Sequence, residues 1–169
     1  MLVERSRIPV EGLDLRLSEE PRWDGVEGLW TSLAAVEATF HLERKGEGVL
    51  ARGAFNTTAT LPCSRCSEPA TVPVSDQFEV LYVASSRAPK GEEVELTAEE
   101  MDVNFLDDDR LDLSGLLREN VLLSLPVQPL CRAECRGLCP RCGVNMNDTS
   151  CQCHVPAPDP RLLPLRQLL

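Results

Sequence analysis

The sequence predicts an α+β fold, in which an antiparallel, β-rich domain with long hairpin strands carries one main helix and a C-terminal cysteine-rich segment. Three observations indicate this fold. Apolar and polar residues alternate through much of the first half, one later stretch has apolar residues at helical spacing, and six of the eight cysteines lie within 23 residues near the C-terminus. With 169 residues the chain can bury a core without covalent staples.

Three strands are predicted between residues 36 and 82. The first, 36–43, alternates apolar and polar residues, which is the period-2 pattern of a half-buried strand. A glycine-containing turn at 45–48 separates it from a long second strand, 49–61, which is rich in β-branched threonine. The third strand, 72–82, would complete a hairpin whose tip holds Cys63 and Cys66.

One helix is predicted in the second half. It would begin after an N-cap, either Asp112 or Ser114, and Pro126 would stop it after about three turns. Its apolar residues recur at helical spacing: Leu113, Leu116, Leu117, Val121 and Leu125. Because the helix leads directly into the cysteine-rich segment, its packing on the sheet would position that segment.

The cysteine-rich segment has the spacing of a metal site. A tetrahedral zinc ion commonly takes two thiolates from one tight turn, and Cys139-Pro-Arg-Cys142-Gly143 provides such a turn, since Gly143 can adopt positive φ. The second pair of ligands must come from elsewhere in the chain. Three pairs are available: Cys151 and Cys153, Cys131 and Cys135, and the distant Cys63 and Cys66.

We therefore predict one or two zinc ions. The first would be bound by Cys139, Cys142, Cys151 and Cys153, because the eight residues between the two pairs can loop back and bring the four sulfurs together. A rival pairing brings Cys131 and Cys135 to the same turn. Cys63 and Cys66 either join Cys131 and Cys135 in a second site or only line a turn.

These patterns divide the chain into a β-rich α+β domain (1–130), a cysteine-rich metal-binding segment (131–155), and a linker with an apolar tail (156–169). Residues 1–7 begin no apolar signal sequence, and no stretch approaches the roughly 18 apolar residues of a membrane span. We therefore expect a cytoplasmic chain with no membrane association. Its thiols would stay reduced, which disfavours a disulfide framework.

Two other uses of the cysteines are compatible with parts of the pattern. Cys135, Cys139 and Cys142 have the spacing by which radical S-adenosylmethionine enzymes hold an iron–sulfur cluster, but those enzymes need a large barrel downstream, and only 27 residues follow Cys142. A thiol-redox or metal-handling protein would need exposed thiols of low pKa. His154 could replace a cysteine as ligand, whereas His41 is expected on the solvated face of its strand.

Catalysis has little support in the sequence. It contains no glycine-rich phosphate loop, no Gly-x-Ser-x-Gly turn and no histidine beside a candidate nucleophile. Four cysteine ligands would also close the coordination sphere of zinc, whereas a catalytic zinc keeps an open position. We expect a protein that is not an enzyme and has no small-molecule substrate.

Charge is distributed unevenly. The formal net charge is −10, and residues 91–112, here called the acidic segment, hold ten acidic residues and one arginine. Such a surface repels nucleic acid over most of its area. A basic protein would bind Asp107, Asp108 and Asp109, while Arg132, Arg136 and Arg141 would make a limited RNA contact. The alternative is that the acidic segment is only a solvated loop.

The order of several motifs resembles the bacterial YceD family. The likeness runs from about residue 35 to the end. It rests on Leu61-Pro-Cys-Ser-Arg-Cys-Ser-Glu-Pro69, Leu111-Asp-Leu113 with Arg118-Glu119, Leu125-Pro-Val-Gln-Pro-Leu-Cys131, Cys135-Arg-Gly-Leu-Cys-Pro-Arg-Cys-Gly143, Asn145-Met-Asn147, Cys151-Gln-Cys153 and Asp159-Pro-Arg-Leu162. The resemblance implies a non-enzymatic factor needed for accumulation of large-subunit ribosomal RNA. It also implies that the basic partner is a large-subunit ribosomal protein or a pre-ribosomal particle.

Overall fold

A computed structural model describes residues 1–21, 23, 30–88, 93–95, 103–106 and 108–153. His154 and the predicted linker and tail, 156–169, lie outside the described residues. The elements, in chain order, are β1 (Leu2–Glu4), β2 (Leu13–Glu19), β3 (Ser32–Leu33), β4 (Val36–Lys45), β5 (Gly48–Pro62), β6 (Pro69–Ala84), β7 (Val103–Leu106), β8 (Arg110–Asp112) and α1 (Leu113–Ser124). Single 3-10 turns follow β1 and β6, at Arg5–Arg7 and Ser85–Arg87.

Six strands of the described residues form the main sheet. Its order is β2-β4-β5-β6-β7, with the short β3 pairing to the far end of β5, and β1 and β8 form a separate two-stranded sheet. The predicted antiparallel hairpins β4–β5 and β5–β6 are confirmed. The β6–β7 pair differs, because it is parallel. The connection between them, 85–102, is long enough for the chain to turn back and enter β7 beside Leu81, so that β7 runs in the same direction as β6, which a two-residue hairpin loop does not allow.

The core lies between the main sheet and α1. Alternate residues of β4 are buried, as its period-2 pattern predicts, and Val36 and Leu42 have no exposed surface. Leu113, Leu117 and Val121 of α1 are equally buried. The helix begins where predicted: Asp112 is the N-cap, and its Oδ1 accepts the Ser114 N–H at 3.2 Å.

Three strands of the main sheet, β2, β3 and β7, were not predicted, and β2 is the longest of them. β2 pairs with β4 along its whole length, from Leu13 opposite Leu42 to Glu19 opposite Val36. Its sequence, Leu-Asp-Leu-Arg-Leu-Ser-Glu, does alternate apolar and polar residues. The period-2 signal was therefore present, and its three leucines pack against the core from the edge of the sheet.

His41 lies on the outer face of β4, opposite the buried Phe40 and Leu42, as predicted, but two carboxylates flank its ring. It is half-buried, with Nδ1 2.7 Å from Asp14 Oδ1 and Nε2 3.1 Å from Glu43 Oε1. These two hydrogen bonds, with Asp14 first, raise the pKa of His41 above its ordinary value. The contact with Asp14 was not predicted, because Asp14 belongs to β2, whose pairing with β4 brings this carboxylate beside the ring.

The β5–β6 hairpin sets the distance between the two ends of the molecule. Pro62 lies opposite Pro69 at one end, whereas Val49 lies opposite Tyr82 at the other. The rise of 3.3 Å per residue makes this span about 40 Å. Two strands of the acidic segment, β7 and β8, lie at the Tyr82 end, because β7 pairs with residues 81–84 and Tyr82 lines one cavity with Arg110 and Asp112 of β8. Within the described residues, no helix is long and apolar enough to cross a membrane.

Candidate metal centres

The first candidate site is built on the tip of the β5–β6 hairpin, residues 63–68. The strand pairing ends at Pro62 and Pro69, since neither proline has an N–H to donate to a ladder. A tight turn follows, in which the Cys63 N–H donates to Glu68 O at 2.8 Å and the Ser67 N–H donates to Cys63 O at 2.9 Å. Cys63 and Cys66 therefore project from one turn, and both are buried.

The segment after α1 supplies the other half of this site. It is docked on the hairpin tip by Ser64, whose N–H donates to Pro129 O at 2.9 Å. Cys131 and Cys135 then face the two cysteines of the tip. The sulfur of Cys63 lies 3.8 Å from that of Cys135, and the sulfur of Cys66 lies 3.6 Å from that of Cys131. All four sulfurs lie within 4.8 Å of one another, and we call this group site 1.

The second candidate site lies wholly within residues 139–153. The predicted turn is present, with the Gly143 N–H donating to Cys139 O at 2.9 Å and Gly143 at φ +71°. Cys151 lies 3.3 Å from Cys139 and 3.5 Å from Cys142, sulfur to sulfur. With Cys153 these sulfurs form a second group within 4.8 Å, called site 2, in which Cys142 and Cys153 are exposed to solvent.

Both groups have the dimensions of a tetrahedral metal site. Thiolates about 2.3 Å from a central ion stand about 3.8 Å from each other, close to the 3.3 to 3.8 Å between neighbouring sulfurs here. All eight cysteines belong to the described part of the chain, and none is joined in a disulfide. The two groups of four could each hold a metal ion.

In each site, the pKa is lowered for some thiols and raised for others. The backbone N–H groups of Cys131 and Arg65 lower the pKa of Cys63 to about 6. For Cys66, the Glu68 N–H acts to lower the pKa, but burial and the neighbouring sulfurs, Cys135 first, outweigh it and raise the pKa to about 12. A thiolate at one cysteine therefore raises the pKa of the neighbouring thiol. A metal cation between the sulfurs would remove this repulsion between thiolates.

Site 2 has the same division. The backbone N–H groups of Cys142 and Arg141 lower the pKa of Cys139 to about 6. The sulfurs of Cys151 and Cys142, together with burial, raise the pKa of Cys153 to about 12. The N–H groups of the Cys-Pro-Arg-Cys turn thus point at the sulfur, as a metal-binding turn requires.

The two sites are joined by contacts that the sequence analysis did not anticipate. The Leu138 N–H donates to Arg65 O at 3.1 Å, and Arg65 Nη1 donates to Cys135 O at 2.8 Å. Asn147, on the loop of site 2, donates from Nδ2 to the sulfur of Cys135 in site 1 at 3.3 Å. Asn145-Met-Asn147 is one of the motifs of the family resemblance, but the motif does not indicate a partner for Asn147, and only the folded arrangement reveals this contact.

The iron–sulfur spacing is broken up by the fold. Cys135 belongs to site 1, whereas Cys139 and Cys142 belong to site 2. The three cysteines of that spacing therefore do not surround one position.

The chain was compared with known proteins. Residues 51–169, which include all eight cysteines, match the family described as Large ribosomal RNA subunit accumulation protein YceD. The chain belongs to the YceD family. No solved structure matches this YceD chain.

The chain is also similar to a bacterial and to a plant protein. An uncharacterized protein of Mycobacterium tuberculosis is 31% identical over 136 residues, which cover 80% of this chain and 63% of that protein. A maize (Zea mays) protein named Large ribosomal RNA subunit accumulation protein YCED homolog 1, chloroplastic, is 31% identical over 127 residues, which cover 60% of this chain and 42% of that protein. The chain thus spans less than two thirds of the length of these relatives.

The predicted partner-binding residues of this YceD protein lie far from one another. Arg132, Arg136 and Arg141 are all exposed, and they surround the two thiol sites. Asp108 and Asp109 are also exposed, but they precede β8 at the opposite end of the sheet. Asp107 lies outside the described residues. Asp109 already accepts a hydrogen bond from Arg5 Nε at 2.8 Å.

Proposed function

We propose that this protein is a non-enzymatic zinc-binding factor that supports accumulation of large-subunit ribosomal RNA in the cytoplasm. The observation that carries the proposal is the YceD match, because it spans the hairpin tip, α1 and every cysteine of both sites. The maize relative's name assigns that protein to the same process. The factor acts by binding, without a membrane or a small-molecule substrate.

Zinc is the metal that the donor sets favour. Four sulfur donors in tetrahedral array suit zinc or an iron–sulfur cluster, and each site has room for one ion between four sulfurs. Such a set leaves no open coordination position for a reacting molecule. The closed donor sets therefore support structural metal ions, one in each site, and a protein without catalytic activity.

The arrangement gives less support to a thiol-redox function. A reactive thiol needs both a low pKa and exposure to solvent. The lowered pKa values belong to Cys63, Cys135 and Cys139, all of which are buried, whereas exposed Cys153 has a raised pKa. None of these three thiols of lowered pKa is exposed to solvent, so none combines the two properties.

The proposed partner is a basic large-subunit ribosomal protein or a pre-ribosomal particle. The acidic residues near β8 would contact the basic protein, with Asp109 exchanging its bond to Arg5 for the partner. The arginines around the thiol sites would make the limited RNA contact, since guanidinium groups recognise phosphates. Two surfaces of opposite charge on one molecule suit a particle made of basic protein and RNA.

Two measurements test the proposal. Protein purified without oxygen should contain two zinc ions per chain, no iron or sulfide, and no visible absorption. Cells that lack the gene should accumulate less large-subunit ribosomal RNA, and the wild-type chain should restore it. Normal ribosomal RNA in those cells would refute the ribosomal function, and iron in the purified protein would refute the zinc assignment.

A further inference from the structure

We propose that Asn147 couples the two thiol sites, so that a metal ion in site 1 strengthens metal binding at site 2, and the reverse. This inference rests on the metal binding proposed above and adds a relationship between the sites. Asn147 is a positioning residue and not a ligand. Its amide acts through a ligand of the other site.

The contacts of Asn147 join the two sites directly. It lies on the loop between Cys142 and Cys151, yet its Nδ2 donates to the sulfur of Cys135 at 3.3 Å. Its Oδ1 accepts the Arg136 N–H at 2.8 Å. Its own loop also holds it, because both the Asn147 N–H and its Nδ2 donate to Asn145 Oδ1, at 3.0 and 2.8 Å. A shift of Cys135 would therefore displace the loop that carries site 2.

A second contact fixes the start of site 2 against site 1. Arg65 lies between Cys63 and Cys66, and its carbonyl oxygen accepts the Leu138 N–H at 3.1 Å. Gly137 approaches so closely that a Cβ there would lie 3.0 Å from that oxygen. The residue preceding Cys139 is thus held by the turn that carries two ligands of site 1.

The order in which the two sites bind metal follows from the structural elements that hold their cysteines. Cys63, Cys66 and Cys135 of site 1 are buried at 3%, 4% and 2% exposure, and two of them project from the tip of a long hairpin. Site 2 lies in a stretch whose ladder pairing, within the described residues, is an isolated bridge from Leu138 to Asn145. Site 1 would therefore fill first and order the site 2 loop through Asn147, and linkage makes the effect reciprocal.

The test uses the reduced, metal-free full chain and its Asn147→Asp variant. Aspartate keeps an oxygen that can accept the Arg136 N–H but removes the amide that donates to Cys135 and to Asn145, and all eight cysteines remain. Asn56→Asp is the matched control, because Asn56 is an exposed asparagine on β5 away from both sites. Each protein is titrated with Co²⁺ and with Zn²⁺ against a chromophoric chelator.

The wild type should bind two ions. Its site 2 should bind metal about 10 to 100 times more tightly than site 2 of the Cys63→Ser/Cys66→Ser variant, which is the range typical of hydrogen-bonding partners of metal ligands. Asn147→Asp should still bind two ions but should weaken site 2 by a similar factor. Asn56→Asp should match the wild type. Adding Asn147→Asp to the site 1 variant should weaken site 2 by a smaller factor than it does in the wild type, because only the contact with Asn145 then remains to be lost.

The outcomes separate this inference from the proposed function. Equal site 2 affinity with and without site 1 would overturn the coupling, and wild-type affinities in Asn147→Asp would overturn the role of Asn147. A wild-type chain that binds no metal would instead overturn the zinc proposal. Circular dichroism checks that the site 1 variant keeps its sheet, and if it does not, the comparison of Asn147→Asp with Asn56→Asp decides.

Discussion

The sulfurs of Cys66 and Cys131 lie 3.6 Å apart, although 65 residues separate them in the chain. One belongs to the hairpin tip and the other to the segment that follows α1. A metal ion between them would close a long loop, which restricts the unfolded chain as a disulfide does. Site 1 is therefore expected to stabilise the whole fold, whereas site 2 closes a short local loop.

The shared site 1 can be tested by metal counting. Cys63→Ser and Cys131→Ser should each reduce the zinc content by one ion per chain, and the double variant should lose no more, because both residues contribute to the same site. Zinc is measured by inductively coupled plasma mass spectrometry on the folded proteins. Additive losses, or no loss at all, would show that the two pairs do not share an ion.

Site 2 gives an independent prediction. Cys142→Ser should also remove one zinc ion, and combining it with Cys66→Ser should remove both. Cys142→Ser should lower the melting temperature less than Cys66→Ser does, because site 2 lies in a local loop while site 1 joins distant parts of the chain. An unchanged zinc content in Cys142→Ser would contradict the assignment of this cysteine.

The contact between the sites can be tested at Gly137. Gly137→Ala should destabilise the protein in two ways: alanine at φ +73° costs about 1 kcal/mol, and its Cβ would meet Arg65 O at 3.0 Å. Gly46→Ala is the control, since Gly46 has φ +59° but no atom within 4 Å of a built Cβ. Urea unfolding should show a larger loss for Gly137→Ala, and equal losses would argue against close docking of the sites.

His41 should make stability depend on pH. Its pKa is raised by hydrogen bonds to Asp14 and Glu43, so its contribution is fully present below the unfolded-state pKa of about 6.5 and is lost as pH rises through the folded-state value. His41→Gln should therefore cost more stability at pH 6 than at pH 9. Nuclear magnetic resonance titration should place the imidazole pKa above 6.5. A value at or below that figure would contradict the prediction.

The two charged surfaces should have separable effects. Replacing Asp107, Asp108 and Asp109 by asparagine, which tolerates the positive φ of Asp108 and Asp109, should weaken association with large-subunit precursors and lower the large-subunit RNA level. Wild-type association should also fall steeply as salt rises, because exposed charges are screened. Zinc content should be unchanged.

The matched comparison replaces Arg132, Arg136 and Arg141 by glutamine, which should reduce RNA crosslinking more than binding to ribosomal protein. If the aspartate variant instead comigrates with precursors as the wild type does and supports normal RNA levels, the acidic segment is only a solvated loop. The arginine surface would then be the main contact.

Local patterns predicted much of this structure. Alternation located β4, β5 and β6, and the N-cap and proline signals located α1, because each depends on residues close in the chain. The parallel β6–β7 pair and the carboxylate beside His41 depend on distant strands, so no local pattern contains them. Cysteine spacing suggested the two groups of four thiols, but the contact from Asn147 to Cys135 exists only after the two sites dock.

The length of the β5–β6 hairpin has a consequence for avidity. Because its ends are about 40 Å apart, acidic and arginine-bearing surfaces cannot compete for one small epitope, and a large assembly could engage both at once. Two individually weak contacts on a rigid spacer add up to a tight attachment, since the second forms at high effective concentration once the first is made. Either end alone would then release quickly, so the chain would stay only on particles that present both features at the matching separation.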